Sequence, residues 1–217
     1  AYAALSKGDI QVLASQVDYA AADYWKKNKN KIEKLSPVSF GLYQGMAVPS
    51  YVDIDSIEQL NANADKLGNR IIGIEPGSGL MSDANNVVKA YDIKLKLVEG
   101  STSAMTAALK SAVDRKEWVA VTVWDPSWMT KKFDLKFLKD PKGVFPPLQG
   151  YYWIGHKGFA EANPRARELM AGVYVPITDI TAMNAEVKDG KTMDEAIKGW
   201  IDSHTDLVNR WGNIKNY

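Results

Sequence analysis

The chain of 217 residues has no cysteine and only two histidines, His156 and His204. Without cysteine, disulfides, thiolate nucleophiles, Cys-ligated zinc and iron–sulfur clusters are all excluded. The two histidines lie far apart in sequence, which disfavours a histidine-rich metal site and leaves a Ser-His-Asp triad only through one of them. We therefore expect no bound metal.

Long apolar runs and an excess of charge are also missing. No run of about 18 apolar residues occurs, which is the length that a bilayer-spanning helix needs. Lys and Arg total 27 and Asp and Glu total 26, so the formal net charge is +1. This balance argues against nucleic acid or an anionic membrane surface as the main partner. A hydrophobic content of 46% is enough for a core in a globular chain of this length.

The middle of the chain alternates between strand-like and helix-like segments. Strand patterns cover Ile71–Ile74, Lys94–Val98 and Trp118–Trp124, and helical patterns cover residues 82–91 and 101–115 between them. Short links between these segments predict three adjacent, mostly parallel strands with covering helices. The third strand is nearly continuous in apolar residues, which is typical of a strand buried on both faces.

The flanking segments give weaker patterns. Thr192, followed three residues later by Glu195, has the spacing of a helix capping box. The predicted flanking elements are a strand at 9–13, a lysine-rich helix at 19–34, a bent strand at 40–52, a helix at 55–67 ended by Gly68, a loop at 125–129, a turn-rich stretch at 135–144, a strand at 151–156, and helices at 164–170, 179–187, 192–203 and onward to Trp211.

Aromatic residues gather near the end of the most buried predicted strand. Trp124 and Trp128 flank a Pro-containing turn there, and ligands of parallel sheets usually lie at the carboxyl ends of strands. Aromatic faces attract a quaternary ammonium group by about 0.5–2 kcal/mol each. We expect Trp124 to project into a cleft and Trp128 to pack beneath the loop. The alternative is that these aromatic residues, like Tyr43 and Tyr151, only fill the core.

The segment Glu75–Gly79 joins a predicted strand to a predicted helix. Its glycines let backbone amides approach a ligand, and a helix N-terminus favours an anionic group. The spacing matches neither a Walker loop nor a dinucleotide fingerprint, and a tight structural turn is the alternative. No pair of carboxylates has catalytic spacing, and both histidines are interpreted as structural, His204 as a favourable cation at a helix C-terminus.

Together these segments resemble the substrate-binding proteins of glycine betaine, proline betaine and choline ABC transporters. The resemblance runs in order along nearly the whole chain and is closest at Trp124–Met129. The segments that carry it are Gln44–Gly45, Val48–Val52, Gly73–Met81, Leu97–Ser101, Met105–Leu109, Trp124–Met129, Phe133–Leu138, Asp140–Val144, Lys157–Phe159, Asp179–Ile180, Met183–Asn184, Asp189–Gly190, Ala196 and Trp200–Ile201.

The resemblance implies an α/β fold of the two-lobed periplasmic-binding-protein type II class, each lobe a mixed sheet flanked by helices. Residues 1–45 and 149–217 would form the first lobe and residues 46–148 the second, with ligand in the cleft. The implied function is capture of a small zwitterionic or cationic solute and delivery to ABC permease subunits, without catalysis or cofactor. The implied location is periplasmic, or the outer face of the bacterial cytoplasmic membrane, with any signal peptide removed or not included.

One departure from the family concerns the N-terminal region. Family members usually have a further strand–helix–strand unit before the segment that corresponds to Ala4–Ile10. We therefore expect the first lobe to be incomplete. Exposed sheet edges and apolar faces would follow, and with them self-association.

A second departure concerns the aromatic cage that holds the ammonium group in this family. Trp124 matches a cage tryptophan, but Gln16 and Val175 stand where the family has two others. The expected ligand-binding residues are Trp124, Gly77, Ser78, Gln16, Tyr43, Tyr151 and Tyr174. The alternative function is a non-transporting sensory or degenerate ligand-binding module with the same fold.

Overall fold

The computed structural model describes residues 1–19 and 21–213. In this part of the chain the strands are β1 (Val12–Ser15), β2 (Ile32–Pro49), β3 (Arg70–Ile72), β4 (Lys96–Val98), β5 (Val121–Asp125), β6 (Leu135–Phe137) and β7 (Gln149–His156). The α-helices are α1 (Tyr2–Lys7), α2 (Ala22–Asn28), α3 (Gly79–Ala90), α4 (Thr102–Asp114), α5 (Trp128–Lys132), α6 (Phe159–Ala162), α7 (Pro164–Gly172), α8 (Ile177–Lys188), α9 (Met193–Ser203) and α10 (Thr205–Gly212).

The chain divides into two compact units. Unit 1 comprises Ala1–Leu42, Leu148–Met183 and the chain from Gly190 onward, and unit 2 comprises Tyr43–Pro147 and Asn184–Asp189. β2 and α8 each contribute residues to both units. The lobe boundaries implied by the resemblance stay a prediction.

Unit 2 contains the predicted parallel sheet. β3 pairs in parallel with β4 on one side and with β5 on the other. The last part of β2 pairs antiparallel with β5, from Tyr43 opposite Asp125 to Ala47 opposite Val121, and β6 pairs with β2. The strand order β2-β5-β3-β4 confirms that the three predicted strands are neighbours.

The helices of unit 2 cover this sheet with apolar faces. α3 buries Leu80, Ala84 and Val87, spaced at about one helical turn, and packs against β4 and β5. α4 buries Met105 and Leu109 one turn apart. Both helices match the predicted segments and join one continuous core, in which Met46, Ile71 and Val121 are fully buried sheet residues.

Unit 1 has a smaller, antiparallel sheet. β7 lies between β1, which it pairs from Val12 opposite Gly155 to Ser15 opposite Tyr152, and the first part of β2. The β2–β7 pairing has three register shifts. The core cluster found in this unit consists of Leu5, Val17, Ile32 and Ile154, with partly buried Tyr2, Leu13, Trp25 and Tyr152 around it.

Two predicted helices were wrong. The segment predicted as a helix at 19–34 is helical only in α2, and β2 already begins at Ile32, because Ile32 and Lys34 pair with β7. The segment at 55–67 forms two 3-10 turns, Ile57–Gln59 and Asn61–Asn63. Side chains compete for backbone groups here, since Asn63 donates to the Gln59 carbonyl at 2.9 Å and Asn61 accepts from the Lys94 amide at 2.8 Å.

Other differences concern element boundaries. The strand predicted at 9–13 lies at 12–15, and the predicted loop at 125–129 contains the start of α5, which Ser127 caps. α1 was not predicted, although Gly8, with a φ of 83°, is the kind of left-handed residue that ends a helix. The capping box of Thr192 and Glu195 is confirmed.

Candidate functional site

Trp124 lies near the carboxyl end of β5 and lines a cavity of about 520 Å³ within unit 2. β5 is a buried strand whose residue Trp124 pairs with Gln44 of β2. The cavity is lined by Trp124, Pro126, Ser127, Trp128, Asn184, Val187 and Lys188. Two indoles therefore share one concave surface at the end of the sheet where ligands of parallel strands usually lie.

A hydrogen-bonded turn holds the two tryptophans in place. The Asp125 carboxylate accepts hydrogen bonds from the Ser127 amide at 3.3 Å and the Thr130 hydroxyl at 2.9 Å. The buried Ser127 hydroxyl accepts from the Met129 amide at 3.2 Å and so begins α5. Because Asp125 is engaged in this turn, it orders the aromatic residues.

Trp128 packs against another side chain of unit 2 and also lines the cavity. Its ring lies tilted against Phe133, with 5.8 Å between the ring centroids. The Lys188 ammonium lies 4.9 Å from the centroid of the Trp128 ring, and the Lys132 ammonium lies 6.0 Å from it. One aromatic surface at the cavity is thus already in contact with cations of the protein.

Tyr43 lies on β2 opposite Asp125 but is not among the residues that line the Trp124 cavity. Its ring meets Phe137 edge-on, with 5.0 Å between centroids. Burial, and after it the charge of Asp140, raises the pKa of the Tyr43 hydroxyl above its ordinary value of 10.0. In this structure Tyr43 is a packed neighbour of the turn.

Two side chains of the Glu75–Gly79 segment cap the first turns of α3 and α4. The Ser78 hydroxyl accepts from the Met81 amide at 3.3 Å and begins α3. The Glu75 carboxylate accepts from the Thr102 amide at 2.8 Å and hydroxyl at 2.7 Å, at the start of α4, and these bonds lower the pKa of Glu75. Gly77 has a φ of 84° with open space where a side chain would project. Neither Gly77 nor Ser78 lines the Trp124 cavity.

The remaining predicted site residues belong to unit 1. Gln16 and Tyr151 line a second cavity, of about 750 Å³, together with the stacked rings of Tyr2 and Tyr24. The Gln16 amide donates to the side chain of Gln149 at 3.4 Å. Burial raises the pKa of the Tyr151 hydroxyl. Tyr174 lies between α7 and α8, is 44% exposed, and lines neither cavity.

Among the residues of the Trp124 cavity that sequence reasoning missed are Asn184, Val187 and Lys188. They lie on α8, at spacings of three and four residues that place them on one helix face. The local signals were this spacing and the family resemblance at Met183–Asn184. Nothing in the sequence alone links that face to Trp124, which lies 60 or more residues earlier.

Both histidines take structural positions. His156 Nδ1 is 2.9 Å from the Leu5 carbonyl oxygen, and His204 stacks on Trp200 with 4.3 Å between centroids. Across residues 1–19 and 21–213 there is no group of three or more His, Asp or Glu side chains arranged to hold a metal ion. In the same residues, no helix combines the length and apolar character that crossing a membrane requires.

Comparison with known proteins gives a consistent result. A family described as the substrate-binding domain of ABC-type glycine betaine transport systems matches residues 1–203. The glycine betaine/carnitine transport binding protein GbuC of Listeria monocytogenes is 37% identical over 150 residues, which are 68% of this chain and 50% of that protein. The glycine betaine/proline betaine-binding periplasmic protein of Escherichia coli is 26% identical over 170 residues, 66% of this chain and 52% of that protein. The chain thus spans about half the length of the curated relatives it matches.

Solved structures resemble the chain over nearly its whole length. Lactococcal OpuAC, in its closed-liganded conformation complexed with glycine betaine, has 33% identity and a TM-score of 0.75, covering 97% of this chain and 83% of that one. The ProX protein of Borrelia burgdorferi has 28% identity and a TM-score of 0.72, covering 97% and 81%. These likenesses confirm the predicted fold class. The chain belongs to the family of substrate-binding domains of ABC-type glycine betaine transport systems.

Proposed function

We propose that this chain captures a quaternary-ammonium or betaine-like solute outside the cytoplasm, for delivery to the permease subunits of an ABC importer. The observation that carries the proposal is the pair of indoles, Trp124 and Trp128, on one cavity at the carboxyl end of β5. Family membership supports the transport role, and a relative named as periplasmic supports the location. The chain would bind its solute without changing it.

An aromatic cavity suits this kind of ligand for a physical reason. A quaternary ammonium group has no N–H to donate, and its positive charge is spread over methyl groups that have apolar surface. The negative face of an indole satisfies both properties, with a contribution of about 0.5–2 kcal/mol per ring. A cavity of about 520 Å³ falls within the range in which small molecules bind.

The scaffold around Trp124 favours binding because it is ordered before the ligand arrives. Pairing with Gln44 fixes the backbone of Trp124, and the Asp125 turn fixes the chain that follows. A side chain that is held in place loses little conformational entropy when the ligand binds. The energy of the aromatic contact is therefore available for affinity.

The other residues predicted from the sequence to bind ligand remain part of the proposal, and their positions support it to different degrees. Gln16 and Tyr151 line the unit 1 cavity, where a polar amide and a phenol ring would contact solute. Gly77 has open space where a side chain would project. Ser78, Tyr43 and Tyr174 do not line the Trp124 cavity. Among the ligand-binding residues predicted from the sequence, we rank Trp124 first because it combines an indole, a fixed backbone and a position on a cavity wall.

Calorimetric titration with glycine betaine, proline betaine and choline tests the proposal. Trp124→Ala should raise the dissociation constant about tenfold or more, which corresponds to about 1.4 kcal/mol or more. Trp118→Ala is the matched control, because Trp118 lies before β5 and lines a different surface of unit 2. It should change affinity by less than about twofold, a few tenths of a kcal/mol.

Two outcomes would contradict the proposal at different levels. If the unmodified chain binds none of the three solutes at millimolar concentration, the transport function is wrong. If it binds one of them and Trp124→Ala leaves affinity unchanged, the assigned site is wrong. In the first case the second candidate, a degenerate or sensory module with the same fold, is favoured, and it is already supported by the polar Gln16–Gln149 contact where the family has an indole.

A further inference from the structure

Lys188 occupies the last turn of α8 and lines the Trp124 cavity, four residues after Asn184, which lines it too. We propose that Lys188 is a specificity-determining residue that makes the cavity prefer solutes with a carboxylate, such as glycine betaine, over a plain cation such as choline. This inference rests on the proposed function and names the substrate class of the same site.

The charged groups at the cavity support this role of Lys188. Of the described residues that line it, Lys188 alone has a formal charge. The structure gives Lys188 an aromatic contact with Trp128 and, among the described residues, no carboxylate partner. Lys132, the other cation near that ring, is paired with Asp189. Among the described residues, Lys188 therefore forms no ion pair with a carboxylate.

Two kinds of ligand would experience this charge differently. A plain quaternary cation in the cavity would be repelled by the ammonium of Lys188. A betaine could place its own ammonium against Trp124 and direct its carboxylate toward Lys188, which forms a charge-assisted hydrogen bond. The amide of Asn184, one turn away on the same helix face, offers a neutral donor to the same carboxylate.

The aromatic contacts agree with this division of roles. The Lys188 ammonium already lies over Trp128, at 4.9 Å from the ring centroid. The indole of Trp124 has no protein cation over its ring among the contacts of the described residues. Trp124 is thus the cavity indole without a protein cation over its ring, and Lys188 supplies positive charge to the same cavity.

The exposure of Lys188 limits the size of the effect and supplies a second readout. Lys188 is an exposed side chain, so water and salt screen its charge. A preference that arises from this charge should weaken as ionic strength rises. A preference that arises from cavity shape should not.

Lys188 also has a structural role from which the proposal must be separated. A cation in the last turn of a helix interacts favourably with the carbonyl end of the helix dipole. If that were its sole role, replacing it would lower thermal stability and leave the choice of solute unchanged. Selectivity, measured as a ratio of affinities in one variant, is insensitive to a uniform loss of stability.

The experiment compares glycine betaine and choline by calorimetry on the unmodified chain and on three variants. Lys188→Met removes the charge and keeps the apolar stem, and Lys188→Arg keeps the charge. Lys131→Met removes an equal charge from an exposed lysine of α5 that does not line the cavity. A cooperative thermal unfolding transition shows that each variant is folded. If Lys188→Met does not fold, Lys188→Gln is used in its place.

We expect the unmodified chain to prefer glycine betaine by at least about tenfold, and Lys188→Met to reduce the ratio of affinities about threefold to tenfold. Lys188→Arg and Lys131→Met should keep the ratio. Raising the ionic strength from about 0.01 M to about 1 M should shrink the preference of the unmodified chain and not that of Lys188→Met.

The inference is overturned if the unmodified chain binds both solutes equally or prefers choline, if Lys188→Met keeps the ratio, or if salt leaves the preference unchanged. In each of these cases binding itself still supports the proposed function. If the unmodified chain binds neither solute, the proposed function fails, and the specificity role fails with it.

Discussion

The two units of this chain contain similar numbers of residues but differ in the size of their buried apolar cores. In unit 2 one continuous core joins the sheet to α3 and α4. In unit 1 the core cluster found among the described residues contains Leu5, Val17, Ile32 and Ile154. Since burial of apolar surface is the main stabilising term in folding, unit 2 should be the more stable of the two.

Exposed apolar residues show the same contrast. Of the large hydrophobic side chains that the structure records as exposed, Tyr51 belongs to unit 2 and the rest to unit 1. Those of unit 1 are Ile10, Tyr24, Phe40, Leu148, Leu169, Tyr174, Met193, Ile197 and Ile201. Among residues 1–19 and 21–213, the buried side-chain atoms without a hydrogen-bond partner, on Ser39, Trp153 and Glu168, also lie in unit 1.

This difference bears directly on function. A binding site needs a scaffold that holds its side chains in place, and unit 2 provides one around Trp124. In the part of the chain that the structure describes, β1 is an edge strand and unit 1 has apolar side chains at its surface. Such a surface is suited to contact with another chain. The following predictions test whether the contrast is real.

The largest expected effect is on the core of unit 2. Leu109 is fully buried in α4, and Leu109→Ala should lower the free energy of unfolding by about 3 kcal/mol, because it removes apolar contacts and leaves a cavity. Ile197→Ala, on the exposed face of α9 in unit 1, should cost less than about 0.5 kcal/mol. Urea unfolding measures both, and equal losses would contradict the contrast between the units.

The next effect concerns self-association of unit 1 through α9. Met193, Ile197 and Ile201 follow each other at four-residue spacing, and each is at least 40% exposed. We predict that two copies of the chain associate through this stripe. Ile197→Lys with Ile201→Lys should weaken the association about tenfold in sedimentation experiments, about 1.4 kcal/mol. A monomer at all concentrations, before any substitution, would show that the stripe is not used this way.

Helix caps should show a smaller difference between the units. Ser101 caps α4 in unit 2, and Ser101→Ala should lower the free energy of unfolding by about 1 kcal/mol. Thr192 caps α9, whose single buried residue is Ala196. Thr192→Ala should therefore speed hydrogen exchange in the first turn of α9 and change global stability less than Ser101→Ala. The reverse order would indicate that α9 is packed more firmly than its exposure suggests.

The smallest effect is the pH dependence of the Glu75 contact with α4. Backbone and hydroxyl hydrogen bonds from Thr102 lower the pKa of Glu75 below the ordinary value of 4.5. The folded state thus binds the proton more weakly than the unfolded state, so this contribution is complete above pH 4.5 and is lost as the pH falls through the lowered pKa. Glu75→Gln should reduce the acid sensitivity of unfolding measured between neutral and acidic pH. If the unmodified chain and Glu75→Gln lose stability equally as the pH falls, Glu75 does not have this role.

The extent to which sequence predicted structure also differs between the units. In unit 2 the strands and helices follow each other with short links, so local patterns were sufficient to predict β3, β4, β5 and the helices between them. In unit 1 the sheet depends on distant partners, such as Val12 with Gly155 and Ile32 with His156. The start of β2, which directly follows the lysine-rich segment, has no strand pattern of its own, and the pairing with β7 determines its structure.

The candidate site shows the same limit. Trp124 was predicted because it ends a buried strand and matches a family motif. Lys188 and Asn184 were not predicted, because they reach the cavity from α8, near the other end of the chain. The capping roles of Glu75 and Ser78 follow from contacts that form only when α3 and α4 are in place.

The central claim is that solute binds at the Trp124 cavity of unit 2. Hydrogen exchange, measured with and without saturating glycine betaine and followed by peptide, tests it directly, because bound solute slows exchange of the backbone that surrounds it. We predict slower exchange at residues 124–130 and 184–188, with little change at β4, which is separated from β5 by β3. Saturating solute that leaves residues 124–130 and 184–188 unchanged would contradict the claim.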